Sequence, residues 1–292
     1  MRAMFGVAGV PEEFYENGLK STVQAPGMVA RYGLDCFEYQ CGHGVQLSAA
    51  TAGKIRAKAE KHGVRLSLHA PYYISLSSSD ELIRDKSVGH ILKSARALRA
   101  LGGTRMVVHS GSLSGMTRAQ ALQLAADTLR RAQTALDENG YEDIVLCPET
   151  MGKIGQLGTM EDVAFLCGVD ERMTPTIDFG HLNARTFGAL KEKEDFLAVL
   201  DFFINALGLQ RMLRFHCHFS RIAWSAGGEK AHLTFADESY GPSHIPFIEA
   251  VCARGLAPVV ICESAGTQAK DAKVMKDYYE KTLEKYNGGA AK

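Results

Sequence analysis

The chain has 292 residues, 46% of them hydrophobic and 23% charged, with 33 basic side chains against 33 acidic ones. This composition excludes a disordered or fibrous chain and is long enough to bury a large core. A formal net charge of zero gives no global field to draw in a polyanion, so any nucleic-acid contact needs a local patch or bound metal ions to supply positive charge. Along the chain, short apolar β-rich runs alternate with longer runs of helical spacing. Strands are expected at 3–8, 36–40, 65–70, 105–110, 144–149, 174–179, 213–219 and 258–264. Helices are expected between them at 23–32, 49–62, 82–101, 118–139, 160–167, 193–207 and 246–254, with 271–286 closing the chain. In the fourth helix Ala121, Leu124, Ala125, Thr128, Leu129, Ala132 and Leu136 recur at three- and four-residue steps and make one apolar stripe. Gly33, Gly63, Gly102, Gly140 and Gly255 stand where helices stop before the next strand, because glycine accepts the left-handed conformation cheaply.

Eight β/α repeats with short connections predict an α/β fold, a single (β/α)8 TIM barrel over 1–287 with a flexible C-terminal tail at 288–292. A doubly wound open sheet would carry a glycine-rich phosphate loop after an early strand, and Gly6, Gly9 and Gly18 do not have that spacing. The seven cysteines are odd in number, form no CxxC pair and lie partly inside apolar runs, which predicts reduced, buried thiols. The first residues lack the apolar stretch of a signal peptide, and no segment has the length of a membrane span. The expectation is a soluble, cytoplasmic monomer with no membrane partner.

The residues that end the strands carry the chemistry. In turn they are His69, His109, Glu149, Asp178 followed by His181, the pair His216 and His218, and Glu263. Barrel enzymes place catalysis at this end of the strands. Gathering unpaired carboxylates there is costly, and divalent cations relieve the cost; nitrogen and oxygen donors without thiolate suit zinc, manganese or iron. The remaining histidines scatter: His62 and His90 on helices have no expected role, and His43 and His244 in loops could at most line a rim. Cys147 and Cys217 are expected to pack, while Trp224 could pack or face substrate.

These segments resemble the endonuclease IV family, the abasic-site DNA repair nucleases of the xylose-isomerase-like barrel superfamily. The resemblance rests on His69-Ala70-Pro71-Tyr72, Val108-His109-Ser110-Gly111, Pro148-Glu149-Thr150, Ile177-Asp178-Phe179-Gly180-His181, Phe215-His216-Cys217-His218 and Cys262-Glu263-Ser264. It implies two metal positions built from His69, His109, Glu149, Asp178, His216 and Glu263, with Glu149 bridging and Glu149 and Glu263 catalytic. It also implies a metal-bridged hydroxide that cuts damaged duplex DNA 5′ to an abasic site, with zinc as the expected metal and manganese compatible. A third metal would be held by His181 and by an Asp-x-His motif whose nearest match is Lys230-Ala231-His232, a lysine standing in the aspartate's place. Glu229 or His218 could substitute by a one-residue shift, or Lys230 could act as a point charge in place of the third cation. Tyr72, Lys230 and His218 are the candidate substrate contacts, and Arg185 and Arg221 could reach phosphates, though exposed arginines usually just solvate a surface. The loop after the second strand lacks the arginine of the bacterial enzymes.

A sugar isomerase or epimerase of the same superfamily is the rival reading. It would hold one metal with Glu149, Asp178, His216 and Glu263 and move protons with the two glutamates on a small sugar or phosphorylated substrate. The pair His69 and His109 is what a bridged dinuclear site needs and a mononuclear one does not. A glycoside hydrolase using Glu149 and Glu263 leaves the surplus histidines unexplained, and six matched ligand positions argue against a non-catalytic barrel.

Overall fold

Eight parallel strands close on themselves in the computed structural model, which describes residues 1–289. The strands are β1 (Met4–Ala8), β2 (Cys36–Gln40), β3 (Arg65–His69), β4 (Arg105–His109), β5 (Val145–Glu149), β6 (Thr176–Asp178), β7 (His216–Phe219), β8 (Arg221–Ser225), β9 (Gly228–Leu233) and β10 (Val259–Cys262). β1 to β7 and then β10 follow one another round the barrel, and β10 pairs with β1 to complete it. β8 and β9 form a separate antiparallel hairpin inserted after β7, which the sequence pattern did not predict.

The first helices are α1 (Glu12–Glu16), α2 (Ala25–Arg31), α3 (Ala49–His62), α4 (Glu81–Leu101), α5 (Arg118–Glu138) and α6 (Met160–Cys167). They continue with α7 (Phe179–Arg185), α8 (Lys193–Leu207), α9 (Leu209–Met212), α10 (His244–Ala253) and α11 (Gln268–Gly289). Their ends follow from local chemistry. Ser48, Asp80, Thr117 and Thr159 accept hydrogen bonds from backbone N–H groups of the first turn. Gly63 and Gly102 cap α3 and α4 at φ of 67° and 77°, where a side chain would be strained. On α5 the expected stripe is buried at Ala121, Ala125, Thr128, Leu129, Ala132 and Leu136. The short α1, α7 and α9 were not expected. Of the tail expected at 288–292, Gly288 and Gly289 end α11, and residues 290–292 lie outside the described residues. All seven cysteines are unpaired and buried. Among the described residues no helix is long and apolar enough to cross a membrane.

Alternation along each strand separates two environments. Phe5, Val7, Phe37, Leu68 and Val260 belong to the main core, while Ala8, Cys36 and Ile261 form a separate small cluster with Met4 and Val259. The set that includes Glu38, Ser67, Thr176 and His216 is polar and buried. An aromatic block braces the ends of β6 and β7: Phe247 of α10 lies 4.7 Å from Phe179, which follows Asp178, and 5.1 Å from Phe219, which follows His218. All three rings are fully buried. Phe247→Ala is therefore expected to lower the unfolding free energy by about 3–5 kcal/mol, measured by urea denaturation, whereas Phe247→Leu retains most of it.

Candidate metal centre

The strand ends converge on Glu149. This carboxylate is fully buried. Its Oε2 lies 3.2 Å from His69 Nε2 and 3.6 Å from His109 Nε2. Its Oε1 lies 3.0 Å from His218 Nδ1 and 3.5 Å from His181 Nδ1. Each oxygen thus has its own pair of imidazoles. Asp178 Oδ2 stands 3.2 Å from His181 Nδ1, and Glu263 Oε1 3.6 Å from His218 Nδ1. The ligand atoms of Glu149, Asp178, His218 and Glu263 all lie within 4.8 Å of one another, as do those of His69, Glu149 and His218.

His216 does not join Glu149; its ligand atom converges instead with those of Glu38 and His218. Residues i and i+2 of a strand share a face, so His216 and His218 both point into the barrel, at different depths. The register pairs His216 with Thr176 and His218 with Asp178. His218 therefore occupies the rim beside Glu149, and His216 lies one layer below, its Nε2 2.8 Å from Glu38 Oε2. His218, expected as a substrate contact, takes the place assigned to His216.

The hairpin brings a third group together. His181, Glu229 and His232 form another cluster of converging ligand atoms, with His181 Nε2 3.4 Å from Glu229 Oε2. Lys230 is exposed and is not among the residues lining the mouth. Ala223 pairs with Ala231 and Trp224 with Glu229, so Lys230 is the unpaired residue of a β-bulge. The bulge places Glu229 and His232, three apart in sequence, on one face of the hairpin, and it leaves Lys230 exposed. Gly152 makes room beneath: a Cβ there would lie 2.6 Å from the Glu229 Cβ.

The sequence profile of the xylose isomerase-like TIM barrel family matches residues 27–280. The chain belongs to that family. A protein of Methanocaldococcus jannaschii whose function is uncharacterised is 27% identical over 277 residues, 95% of this chain and 97% of that one. A probable endonuclease 4 of Thermoplasma acidophilum is 26% identical over 200 residues, 65% of this chain and 67% of the relative. Among solved structures, a D-tagatose 3-epimerase-like protein superposes with a TM-score of 0.71 at 21% identity, covering 97% of this chain and 99% of its own. Endonuclease IV from Thermus thermophilus superposes with a TM-score of 0.64 at 20% identity, covering 96% and 100%. At these identities the two structures establish the fold alone.

The electrostatics of this xylose isomerase-like barrel suit cations at its mouth. Burial alone would raise Glu149, but the charge of His218 and hydrogen bonds from His181, His218 and His69 hold it well below the carboxylate range. Burial raises Glu263, with His218 and His232 offsetting it only in part. Burial would depress His69, yet its hydrogen bond to Glu149 lifts it to about 8. His109, too far from Glu149 for that bond, is pushed down to about 3 by burial. Asp178 Oδ2 is buried without a hydrogen-bond partner. An orphaned carboxylate oxygen among converging imidazoles and carboxylates, with no thiolate in the set, fits a divalent metal site.

The mouth above is a cavity of about 380 Å³, whose lining adds Gln40, Tyr72, Lys153 and Gln156 to the ligand residues. Tyr72 is exposed, with its hydroxyl 3.4 Å from His43 Nδ1, so both stand at the rim. The arginines face elsewhere. Arg185 donates to the carbonyls of Met151, Lys153 and Gln156, each at 2.8 Å, and so pins the loop that carries Lys153 and Gln156. Arg221 donates to the carbonyls of Asp237 and Tyr240. His244 opens α10 and stacks on Phe235 at 4.9 Å, and Trp224 packs edge-on against Tyr240. Sequence reasoning missed Glu38, Lys153 and Gln156; an acid in the middle of an apolar strand, Cys36-Phe37-Glu38-Tyr39-Gln40, was the available signal for the first.

Metal binding here must stabilise the fold. Zn2+ at a hundredfold excess over Kd is expected to add about 2.7 kcal/mol, read as a rise in Tm that a chelator reverses; a Tm indifferent to both would argue against the centre.

Proposed function

We propose that the chain is a metal-dependent phosphodiester hydrolase of the endonuclease IV kind, cutting DNA 5′ to abasic sites. The observation that carries this reading is the pairing at Glu149, where His69 and His109 face one carboxylate oxygen and His218 and His181 face the other. A carboxylate flanked this way is disposed to bridge two cations. His218, His181 and His69 hold this carboxylate anionic. Two divalent metals, when bound, supply Lewis acidity that lowers the pKa of water and offsets charge on a phosphate. The chain's own residues do the rest. Glu149, Asp178, His218 and Glu263 would hold an inner metal, and His69 and His109 a neighbouring one. His181, Glu229 and His232 offer a third. Lys153 and Gln156 stand on the cavity wall, where a cation and an amide can orient an anionic ester. The names of the Thermoplasma and Thermus proteins support the same reading.

A second reading is favoured by two specific observations. Glu149, Asp178, His218 and Glu263 form a complete four-ligand set by themselves, and the likeness in fold to the D-tagatose 3-epimerase-like protein, by TM-score, exceeds that to endonuclease IV. On this reading the chain is a single-metal sugar isomerase or epimerase. Glu149, held anionic, and Glu263, raised by burial, would form a base and acid pair about a hydroxy-ketone.

Metal-analysed protein incubated with a duplex carrying one abasic site separates the two. The hydrolase reading expects two or three metals per chain, metal-dependent nicking 5′ to the site, and a loss of about 100-fold or more in Glu263→Gln. One metal per chain, no nicking and turnover of a ketose would replace it with the second reading.

A further inference from the structure

We propose that Glu38 is a positioning residue that sets which nitrogen of His218 is offered to a metal at the mouth. Glu38 sits in the middle of β2 and is fully buried. Its two oxygens take four hydrogen bonds. Oε2 accepts from Ser67 Oγ at 2.8 Å and from His216 Nε2 at 2.8 Å. Oε1 accepts from His218 Nε2 at 2.9 Å and from Gln40 Nε2 at 3.3 Å. An ionised carboxylate only accepts, so each ring nitrogen facing it must carry the proton. His218 thus faces a carboxylate at each nitrogen, Glu38 at Nε2 and Glu149 at Nδ1 3.0 Å away; a cation at the mouth would take the place of the proton on Nδ1, and the proton that Glu38 holds on Nε2 would remain.

With a cation at the mouth, the opposite tautomer would fail on both sides. It would set a lone pair against an oxygen of Glu38 in a buried layer, and it would turn an N–H towards the cation site. Rotation of the ring is no escape, because His218 stacks on His69 with centroids 5.8 Å apart and meets His216 edge-on at 5.4 Å. His216 takes part in the same arrangement: its Nε2–H secures Glu38, and its Nδ1, which has no partner, needs no proton. Ser67, paired with Glu38 across the β2–β3 register, secures the same oxygen. Glu38 thus supplies the carboxylate partner that fixes the tautomer of a ligating histidine and raises its basicity. The inference rests on metal occupying the mouth and is independent of the substrate, since no readout below uses turnover.

The first test needs no variant. In 15N-labelled protein loaded with 113Cd2+, His218 is expected to show cadmium coupling at Nδ1 and a slowly exchanging proton on Nε2. Coupling at Nε2, or no coupling to His218, overturns the proposal. The second test compares metal affinity by chelator competition. Glu38→Gln is expected to weaken binding by about 10- to 100-fold, while Ser67→Ala, which removes one support of Glu38 without touching His218, stays within about threefold of the parent. Unchanged affinity in Glu38→Gln, or equal losses in both variants, would mark Glu38 as merely structural. If Glu38→Gln does not fold, the cadmium experiment decides alone.

Discussion

A buried carboxylate surrounded by imidazoles is the constraint on which the rest of this barrel turns. Taking Glu149 out of water costs several kcal/mol unless its oxygens are matched, and the barrel matches them by bringing one histidine each from β3, β4, β7 and the start of α7. The same solution is repeated one layer down, where Glu38 lies between His216, His218 and Ser67. His218 belongs to both layers. Its two nitrogens connect the inner carboxylate to the outer one, so the depth of β7 relative to β2, β5 and β10 is fixed by polar contacts as well as by the apolar core. The aromatic block of Phe179, Phe219 and Phe247 acts at the same height from the other side of the strands. It holds the backbone next to Asp178 and His218 where the ligands need it.

Much of this was legible in the sequence because the β/α repeat is periodic, and an apolar run followed by His, Glu or Asp is visible wherever it occurs. His69, His109, Glu149, Asp178 and Glu263 were found in that way, and the structure brings all five to one mouth. The same periodicity explains the failure at β7. His216-Cys217-His218 offers two imidazoles on the same face, and only the pairing of Asp178 with His218 tells which reaches the rim. Glu38 was hidden for a related reason. An acid between Phe37 and Tyr39 reads locally as a strand surface facing water, and its partners are 29, 178 and 180 residues away. Arg185, read as a phosphate contact or a solvated surface residue, is neither free nor exposed: the carbonyls of the β5–α6 loop hold it in a buried position.

The hairpin shows how a register irregularity can preserve chemistry that the linear spacing conceals. A regular strand turns residues i and i+3 to opposite faces, so Glu229 and His232 would diverge. One unpaired residue, Lys230, restores the common face, and the exposed lysine is a consequence of the bulge, not a member of the site. The hairpin is also attached differently from the barrel strands. It is joined to the β5–α6 loop through Glu229 N–H on the carbonyl of Gly152 at 3.1 Å and Ile154 N–H on that of Gly227 at 3.1 Å. The inner ligands are therefore carried by barrel strands or the residues immediately beyond them, while Glu229 and His232 are carried by an insertion pinned to a loop that Arg185 holds. This division has a physical consequence for the fold's versatility. Loss of the hairpin contact would remove Glu229 and His232 from the cluster with His181 and leave the clusters around Glu149 in place, without any change to the barrel.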